Sequence, residues 1–334
     1  MEYRPLGRTG LRVSVLSIGA MTFGDGGVFM KGATSSNDEA RRVFDASIDA
    51  GVNLVDTADI YSNGGSEVLT GEWIRGKRDT VLLATKCRFP SGPGPNGGGA
   101  TRHHIVRSCE ASLKRLGTDV IDLYQIHMQD GTTPIEETMR ALDDLVAAGK
   151  VRYVGCSNYT GYRLTEALWA SDKRNQVRFE SVQLQWSLAM RDCEREMIPA
   201  SRAFGLGVLV WSPLASGLLS GKYDRTTTPT GTRLAIWGDT WKRVATERNF
   251  VIIDTLRAIA AERGTTVAAV AIAWLLARPE TTSIILGART VEQLDGNLAA
   301  LSVTLSPEDR KRLDDVSALD WGYPYSMIGR SQPW

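Results

Sequence analysis

Short apolar runs of the kind that form buried strands recur along the whole chain, and longer segments with apolar residues at helical spacing separate them. Strands and helices that alternate eight times in a chain of 334 residues are typical of one closed parallel sheet ringed by helices. The pattern therefore predicts an α/β fold, the (β/α)8 or TIM barrel. The eight runs cover residues 13–21, 53–59, 80–86, 120–128, 151–158, 180–186, 207–213 and 282–288.

Capping residues mark where several of the helices begin and end. In the segment 37–51, Asn37 or Asp38 can serve as the N-cap and Gly51 as the stop. The same signals predict helices over 101–117 and 134–149, and a further helix that starts at Thr290.

A doubly wound parallel sheet is the alternative for a chain of alternating strands and helices. That fold commonly carries a GxGxxG turn after its first strand, whereas the first run here continues as SIGAMTFGDGG. The glycine spacing does not match, and the sequence contains no P-loop motif. The barrel is therefore the favoured prediction.

Four segments stand outside the alternation. The N-terminal YRPLGRTGLRV predicts a small β-hairpin that plugs the end of the barrel opposite the catalytic face. The long segments 87–101 and 216–249 follow strands, so we expect them over the catalytic face. We expect one barrel domain over residues 1–334, with the tail 318–334 outside the barrel proper.

Composition and charge narrow the classes of function. A net charge of +1 gives no electrostatic reason to expect nucleic acid or an acidic membrane surface as a partner. The four cysteines form no CxxC pair, which argues against a disulfide framework and a zinc site. No signal peptide and no run of about 18 apolar residues is visible. We therefore expect a cytoplasmic protein without a membrane or nucleic-acid partner.

Ionisable side chains stand where three successive runs end. Asp56 and Tyr61 follow the second run, Lys86 ends the third, and His127 lies at the end of the fourth. Because the carboxyl ends of barrel strands converge at one mouth, these four side chains are expected to meet there. Each also has an ordinary structural explanation: Asp56 can cap a loop, Lys86 can reach solvent, and His127 can be a hydrogen-bonded core histidine.

Together the four side chains form a coherent proton donor for the reduction of a carbonyl group. A phenol with an ordinary pKa near ~10 is a weak acid at neutral pH, and the Lys86 ammonium is expected to lower the pKa of Tyr61. Asp56 would keep Lys86 charged, and His127 would orient a substrate carbonyl by donating a hydrogen bond. A positioned general acid typically contributes ~10²–10⁴ in rate.

Six motifs, in chain order, resemble those of the aldo-keto reductase superfamily: DTADIYSNGGSE, ATK, DLYQIHMQD, GCSN, WSPLASGLLSGKY and GARTVEQLDGN. The resemblance extends over about residues 1–317 and points to the bacterial branch that also resembles the voltage-gated potassium channel β-subunits. It implies a barrel that binds a nicotinamide dinucleotide without a Rossmann fold. It assigns Asp56, Tyr61, Lys86 and His127 to the catalytic tetrad, with Tyr61 as the acid.

The resemblance also implies a cofactor site along the later strands. Ser157, Asn158 and Gln183 would hold the nicotinamide carboxamide, which needs both donors and acceptors. Trp211 would stack on the nicotinamide ring, where the family more often has Tyr or Phe. The small-residue loop after it would wrap the pyrophosphate, with Lys222 adding positive charge. The expected contacts in this part are Met21, Thr22, Ser157, Asn158, Gln183, Trp211, Ser212, Pro213, Leu214, Ser216, Gly217, Leu219 and Lys222.

The last strand and the helix after it would hold the adenosine end of the cofactor, beginning at Gly287. Phosphates favour helix N-termini, and Arg289 can form two hydrogen bonds to a 2′-phosphate. Gln293 and Asn297 lie one turn apart on one face of that helix. This set favours NADPH over NADH. The family often has Glu where this chain has Gly296, which removes one expected adenine contact.

The expected substrate is a small carbonyl compound, selected by loops around the mouth. Phe23, Phe89, Met128, Trp237 and Trp241 could form an apolar or aromatic wall. The alternative is that these side chains pack the loops against the barrel. Neither interpretation identifies the substrate.

The sequence suggests three possible functions. The first is reversible NADPH-dependent reduction of an aldehyde or ketone, and the second is an NADPH-binding regulatory subunit with slow redox turnover, for which the channel β-subunits are the precedent. The third is a metal-dependent hydrolase that uses Asp56, Asp59, Glu67 and His127. Three histidines make the ligand supply poor, so no metal site is predicted. The family contains monomers, tetramers and octamers, so an oligomer is compatible with the sequence.

Overall fold

Eight parallel strands close into a barrel in the computed structural model, which describes residues 1–25, 34–226, 230, 232–236 and 238–331. Each barrel strand pairs with the next along the chain, and the last pairs with the first. The fold prediction is therefore confirmed. The strands are β1 (Tyr3–Pro5) and β2 (Arg12–Ser14), outside the barrel, and β3 (Leu16–Gly19), β4 (Leu54–Asp56), β5 (Leu82–Cys87), β6 (Ile121–Ile126), β7 (Val151–Ser157), β8 (Phe179–Gln185), β9 (Gly207–Trp211) and β10 (Thr281–Leu286), within it.

Helices surround the barrel, and polar caps fix where several of them begin. Thr101 and Thr290 cap two helices as predicted, each accepting a hydrogen bond from a backbone N–H in the first turn. The cap predicted for the first helix was wrong, because Ser36, one residue before Asn37, accepts the hydrogen bond from the backbone of Glu39. The helices are α1 (Asn37–Asp49), α2 (Gly65–Trp73), α3 (Arg102–Leu116), α4 (Ile135–Ala147), α5 (Gly161–Arg174), α6 (Met197–Phe204), α7 (Arg233–Ile236), α8 (Gly238–Val244), α9 (Glu247–Arg263), α10 (Val267–Leu276), α11 (Val291–Leu298), α12 (Pro307–Val316) and α13 (Tyr325–Ser331).

The predicted N-terminal hairpin is present as the antiparallel pair β1 and β2. Its turn residue Gly7 has φ +58°, and a Cβ there would lie 2.4 Å from the backbone oxygen of Glu180, so only glycine permits the close approach. Leu6 is completely buried among side chains inside the barrel, including Leu123 and Leu209. The hairpin therefore closes the end of the barrel at which the strands begin.

The first apolar run differs from its prediction because the chain divides it at a corner. Residues 12–14 pair within the hairpin, residues 16–19 pair within the barrel, and a 3-10 turn follows over Ala20–Thr22. At the corner the Ser14 hydroxyl donates to the backbone oxygen of Leu16 at 2.6 Å. Periodicity does not mark this corner, because the residues on both sides of it are buried.

The two long segments that follow strands contain ordered structure. Residues 87–101 are tied to the loop after β6, since the Asp130 carboxylate accepts a hydrogen bond from the backbone N–H of Ala100 at 2.8 Å. Residues 216–249 include most of a 3-10 turn over Ala215–Ser220 together with α7 and α8. Both segments thus add loops to the mouth at which the strands end.

The tail 318–334 lies outside the barrel strands, and its described part ends in α13. The Tyr325 hydroxyl donates to the Glu196 carboxylate at 2.6 Å, which ties the tail to the residue before α6. Among the described residues, no single helix is long and apolar enough to cross a membrane. Helices α9 and α10 meet those criteria only as a pair, across a bend of 96°.

Candidate active site

Four side chains predicted from separate parts of the sequence meet at the C-terminal mouth. Asp56 ends β4, Lys86 lies in β5, His127 follows β6, and these strands are neighbours. Lys86 is completely buried, and its ammonium donates to the Asp56 carboxylate. The Lys86 Nζ lies 3.4 Å from the hydroxyl of Tyr61, whose ring is edge-on to His127 with centroids 5.7 Å apart. The phenol therefore lies close to both an ammonium and an imidazole.

Asp56 has more partners than the motifs indicated. Gln125 and Gln183 donate to its second carboxylate oxygen at 3.0 and 2.8 Å. Gln125 is a site residue that no motif singled out, although it lies two positions before His127, and residues two apart on a strand face the same side. These bonds, with that from Lys86, satisfy the buried ion pair, as its burial requires.

Burial changes the expected acidity of Tyr61. Loss of solvent raises the pKa of the Tyr61 phenol above its ordinary value, and the Lys86 ammonium offsets this only in part. Lys86 thus lowers the pKa of Tyr61 as expected, but burial has the larger effect, so the net shift is upward. Tyr61 carries its proton at neutral pH, which is the state that a proton donor needs.

Lys86 and His127 differ in charge. Burial is the largest single influence on Lys86 and opposes the ammonium, but Asp56 and Tyr61 together outweigh it, so the pKa of Lys86 is raised. Burial lowers the pKa of His127 well below its ordinary value, and the positive charges of Lys86 and Arg88 add to the effect. At neutral pH the site thus holds an ammonium and a neutral imidazole, whose one N–H can donate to a carbonyl oxygen.

The turn that carries Tyr61 has a strained backbone. Ser62 and Asn63 have φ of +50° and +52°, and such conformations cost non-glycine residues roughly 1–3 kcal/mol each. The Ser62 hydroxyl donates to the backbone oxygen of Phe23 at 2.7 Å, which ties the turn to the loop after β3. Contacts with surrounding residues therefore hold the turn that carries Tyr61 in a backbone conformation that Ser62 and Asn63 do not favour.

A cavity of about 620 Å³ opens at this mouth, a size typical of small-molecule and cofactor sites. Asp56, Tyr61 and His127 line it, and Lys86 touches the first two of these. The structure also brings together most of the predicted cofactor residues. Those on the lining are Met21, Thr22, Ser157, Asn158, Gln183, Trp211, Ser212, Pro213, Leu214, Ser216, Gly217, Lys222, Gly287, Arg289, Gln293 and Asn297.

Two predicted contacts have side chains in the hydrophobic core instead. Leu219 is completely buried there and does not line the cavity. Phe23 is buried with its ring 5.0 Å from that of Trp73. Leu219 lies in a 3-10 turn and Phe23 directly follows one, and which side chains of such turns face the core is not revealed by position in the sequence.

The remaining predicted substrate residues differ in whether they line the cavity. Phe89 lines the cavity, whereas Met128 does not. Trp241 lies away from the cavity and packs against Tyr223, with ring centroids 5.3 Å apart. For Trp241, as for Phe23, the structure follows the alternative interpretation that loop aromatics pack against the barrel. Trp237 lies outside the described residues.

Nine further residues line the cavity without having been predicted as contacts. Thr266 and Ala268 come from the start of α10, a helix that follows another helix rather than a strand. The strand-end rule therefore gives no signal for them. The nine residues are Gly19, Ile60, Ser220, Thr266, Ala268, Ile285, Leu286, Ala288 and Gly296.

The donor set of the lining suits a nicotinamide dinucleotide. The amides of Asn158 and Gln183 lie beside the tetrad, where they bond to the His127 backbone and to the Asp56 carboxylate. Arg289 brings a cation to the start of α11. Two buried atoms of lining residues, Thr22 Oγ1 and Trp211 Nε1, have no hydrogen-bond partner in the described chain, which is the condition of groups that await a polar ligand.

The hydrolase alternative needs carboxylates that can bind a metal ion, but two of the candidates form ion pairs with basic side chains in the structure. Asp56 pairs with Lys86, and Glu67 pairs with Arg115 at 2.6 Å. Neither oxygen of the buried Asp59 side chain has a hydrogen-bond partner in the described chain. Among the described residues, no group of three or more His, Cys, Asp or Glu side chains could hold a metal ion.

Comparison with protein families agrees with the fold and the geometry of the site. The model of the Aldo/keto reductase family matches residues 15–318, from β3 through α12. The chain belongs to the aldo/keto reductase family of oxidoreductases, as its motifs predicted.

Individual relatives match over nearly their whole length. The chain is 40% identical to the uncharacterized oxidoreductase YrpG of Bacillus subtilis (strain 168), over 95% of this chain and 96% of the relative. It is 38% identical to a probable voltage-gated potassium channel subunit beta of Oryza sativa subsp. japonica, with the same coverage. It is 33% identical to versiconal hemiacetal acetate reductase of Aspergillus parasiticus, over 94% of this chain and 96% of the relative. The predicted similarity to the channel β-subunits is confirmed.

Proposed function

We propose that this protein reduces an aldehyde or ketone to an alcohol with NADPH, and that Tyr61 supplies the proton. The observation that carries the proposal is the contact between the Tyr61 hydroxyl and the buried Lys86 ammonium, which is itself bound to Asp56. Membership of the aldo/keto reductase family supports the same reaction. The reaction is reversible as alcohol oxidation.

Each member of the tetrad has a separate task in this proposal. When bound, the reduced nicotinamide supplies the hydride for the carbonyl carbon. Tyr61 donates its proton to the carbonyl oxygen, and the Lys86 ammonium stabilises the phenolate that remains. The neutral His127 donates a hydrogen bond to the same oxygen and so orients the carbonyl. Asp56 keeps the buried Lys86 charged.

The cofactor residues divide between the two ends of NADPH. Gln183 donates its amide N–H groups to Asp56 and Gln125, so its oxygen is the atom offered to the nicotinamide carboxamide. At the other end, Arg289 would pair with the 2′-phosphate, which favours NADPH over NADH. A Cβ added at Gly296 would meet nothing within 4 Å, so that part of the groove has room for the adenosine.

The substrate belongs between the tetrad and the first long loop. Phe89 lies edge-on to His127 with ring centroids 4.8 Å apart, and this apolar wall suits a small carbonyl compound with an aromatic or aliphatic body. We place the activity in one barrel domain over residues 1–334 and in the cytoplasm, as the composition and motifs indicate.

The proposal is tested by NADPH oxidation with a reactive aromatic aldehyde. We expect multiple turnovers in the wild type and a loss of ~10²–10⁴ in kcat for Tyr61→Phe, because the substitution removes the transferable proton and little else. The binding of NADPH, followed by fluorescence, should be unchanged in the variant within about two-fold. Equal turnover by the wild type and Tyr61→Phe would show that Tyr61 is not the proton donor.

A regulatory subunit that binds NADPH and turns over slowly is the second candidate function. The 38% identity to the rice protein named as a probable channel subunit beta favours it, and it would imply assembly with other chains. In the same assay it predicts tight NADPH binding with at most one slow turnover. A protein that binds no NADPH would contradict both candidates.

A further inference from the structure

Backbone strain in this protein is concentrated at the cavity mouth. Eight non-glycine residues of the described chain have positive φ, and all but the helix-terminal Asn175 lie in loops where the barrel strands end. Strained residues cluster at functional sites, where the surrounding structure holds them against their preference. The seven at the mouth are Ser62, Asn63, Arg88, Asn158, Ser212, Ala215 and Ser216.

Arg88 is the only charged residue in that set. It follows the last residue of β5 with φ +135°, and its backbone oxygen accepts a hydrogen bond from the N–H of Gly99 at 2.8 Å. Its conformation is thus fixed by the same loop that carries Phe89. Apart from the effect of its charge on the pKa of His127, this side chain has no part in the proposed tetrad or cofactor contacts.

Among the residues that the structure describes, the guanidinium of Arg88 has no partner of opposite charge. Its Nε is buried without a hydrogen bond, and no described carboxylate forms an ion pair with it. Most other partly buried arginines are paired with a carboxylate, such as Arg78 with Asp122 at 2.8 Å and Arg115 with Glu67. Arg289, which the proposed function places on a cofactor phosphate, is also without an ion pair among the described residues. Because a partly buried cation without a counter-charge is unfavourable, its retention here points to an anion that arrives from outside.

The position of Arg88 relates that anion to the substrate. Its guanidinium carbon lies 5.4 Å from the centre of the Phe89 ring, and Phe89 lines the cavity beside His127. Arg88 itself does not line the cavity, and its contact with the Phe89 ring is what places its guanidinium near the cavity. The reacting carbonyl would then lie at His127, with the anionic group several atoms away.

We propose that Arg88 binds an anionic group of the substrate, and that the substrate is an aldehyde or ketone bearing a carboxylate at a distance from its carbonyl. This inference rests on the proposed reductase function. A planar guanidinium can form two parallel hydrogen bonds to a carboxylate. The alternative role, a purely structural stack of Arg88 on Phe89, would affect charged and neutral substrates alike.

The test compares substrates that differ only in charge. The 3- and 4-carboxybenzaldehydes and their methyl esters would be reduced by the wild type, Arg88→Gln and Arg88→Lys. We expect the wild type to prefer the acids through KM, and Arg88→Gln to lower the acid-to-ester ratio of kcat/KM by about 10- to 100-fold. Arg88→Lys should give an intermediate ratio, because it keeps the charge without the paired donors.

A matched control removes an arginine that lies on the helix after the same loop. Arg107 is exposed on α3, so Arg107→Gln makes the same change of charge without touching the cavity and should leave the ratio as it is in the wild type. A wild type without preference for the acids, or a ratio that Arg88→Gln leaves unchanged, would overturn the inference. Failure of the wild type to reduce any of these aldehydes would instead count against the proposed function.

Discussion

Asp59 is a buried carboxyl group with few neighbouring groups that would stabilise its charged form. Its oxygens lack hydrogen bonds in the described structure, and the buried Glu67 lies close to it on α2. Loss of solvent, and then the negative charge of Glu67, raise the pKa of Asp59 to about 8, although Arg115 and Lys86 act in the opposite direction. Asp59 is therefore mostly protonated at neutral pH.

This pKa makes the stability of the protein depend on pH. The folded state holds the Asp59 proton up to about pH 8, whereas the unfolded chain releases it near 3.8. The stabilising contribution of the neutral group is thus complete below pH 3.8 and is lost as the pH rises towards 8. Asp59→Asn cannot ionise, so its stability relative to the wild type should increase between pH 5 and 8, by at least about 1 kcal/mol.

Urea unfolding of both proteins at a series of pH values measures this difference. Asp79→Asn, which removes an exposed aspartate from a turn, is the matched control and should follow the wild type at every pH. Parallel curves for Asp59→Asn and the wild type would mean that Asp59 ionises in the folded protein much as it does in the unfolded chain.

At the scale of elements, the turn after β4 is held by the two helices packed against it. Gly64 ends this turn with φ +91°, and a Cβ there would lie 2.7 Å from Cδ of Arg115. Arg115, on α3, donates to the carboxylate of Glu67 on α2, which also accepts from the hydroxyl of Thr85 at 2.6 Å. The position of Tyr61 therefore depends on an ion pair between helices.

A substitution at Gly64 tests this dependence. Gly64→Ala should displace Arg115 and lower both stability and kcat. The new Cβ would clash with the Arg115 side chain, and alanine is also disfavoured in the left-handed backbone conformation that Gly64 adopts. Gly76→Ala is the control, because Gly76 has a similar φ of +80° with nothing within 4 Å of an added Cβ. It should lose about 1 kcal/mol of stability and no activity. Equal losses of kcat in the two variants would refute the link from Arg115 to Tyr61.

Most of the strands and helices were predictable from the sequence, and the two errors in their predicted boundaries each have a local cause. Alternating runs and caps such as Thr101 indicated the strands and helices of the barrel. The N-cap of α1 was displaced by one residue because Ser36 has a hydroxyl that reaches the backbone N–H of Glu39. The corner at Ser14 was missed because buried residues continue through it, so the hydrophobic pattern does not change where the chain changes direction.

At the scale of the whole molecule, the two ends of the barrel have separate tasks. The strand N-termini are closed by the hairpin, with Leu6 completely buried between the strands. The opposite mouth carries the tetrad and the cavity. This division is characteristic of (β/α)8 enzymes, in which one face carries the chemistry and the other contributes stability.

Leu6→Ala should therefore separate stability from activity. Removing the side chain leaves a cavity in the closed end and should cost roughly 2–5 kcal/mol of unfolding free energy. The kcat/KM for the aldehyde should remain at the wild-type value wherever the variant is folded, because Leu6 lies at the closed end of the barrel and does not line the cavity. Urea unfolding and steady-state kinetics at one temperature check both parts. A fall in kcat/KM of the folded variant would show that the two ends are coupled.

The sequence by itself determined the barrel, the hairpin and the four side chains that meet at the mouth. Strand periodicity can be read from neighbouring residues in the chain, and in a closed barrel all the strands end at the same mouth. Neither feature depends on the details of side-chain packing. Only the tertiary structure decided which neighbours surround each group. It removed enough solvent from around Tyr61 to outweigh the lowering of its pKa by Lys86, added Gln125 to the partners of Asp56, and placed Phe23 in the core. Desolvation and packing depend on residues distant in the chain, and no single-sequence pattern records them.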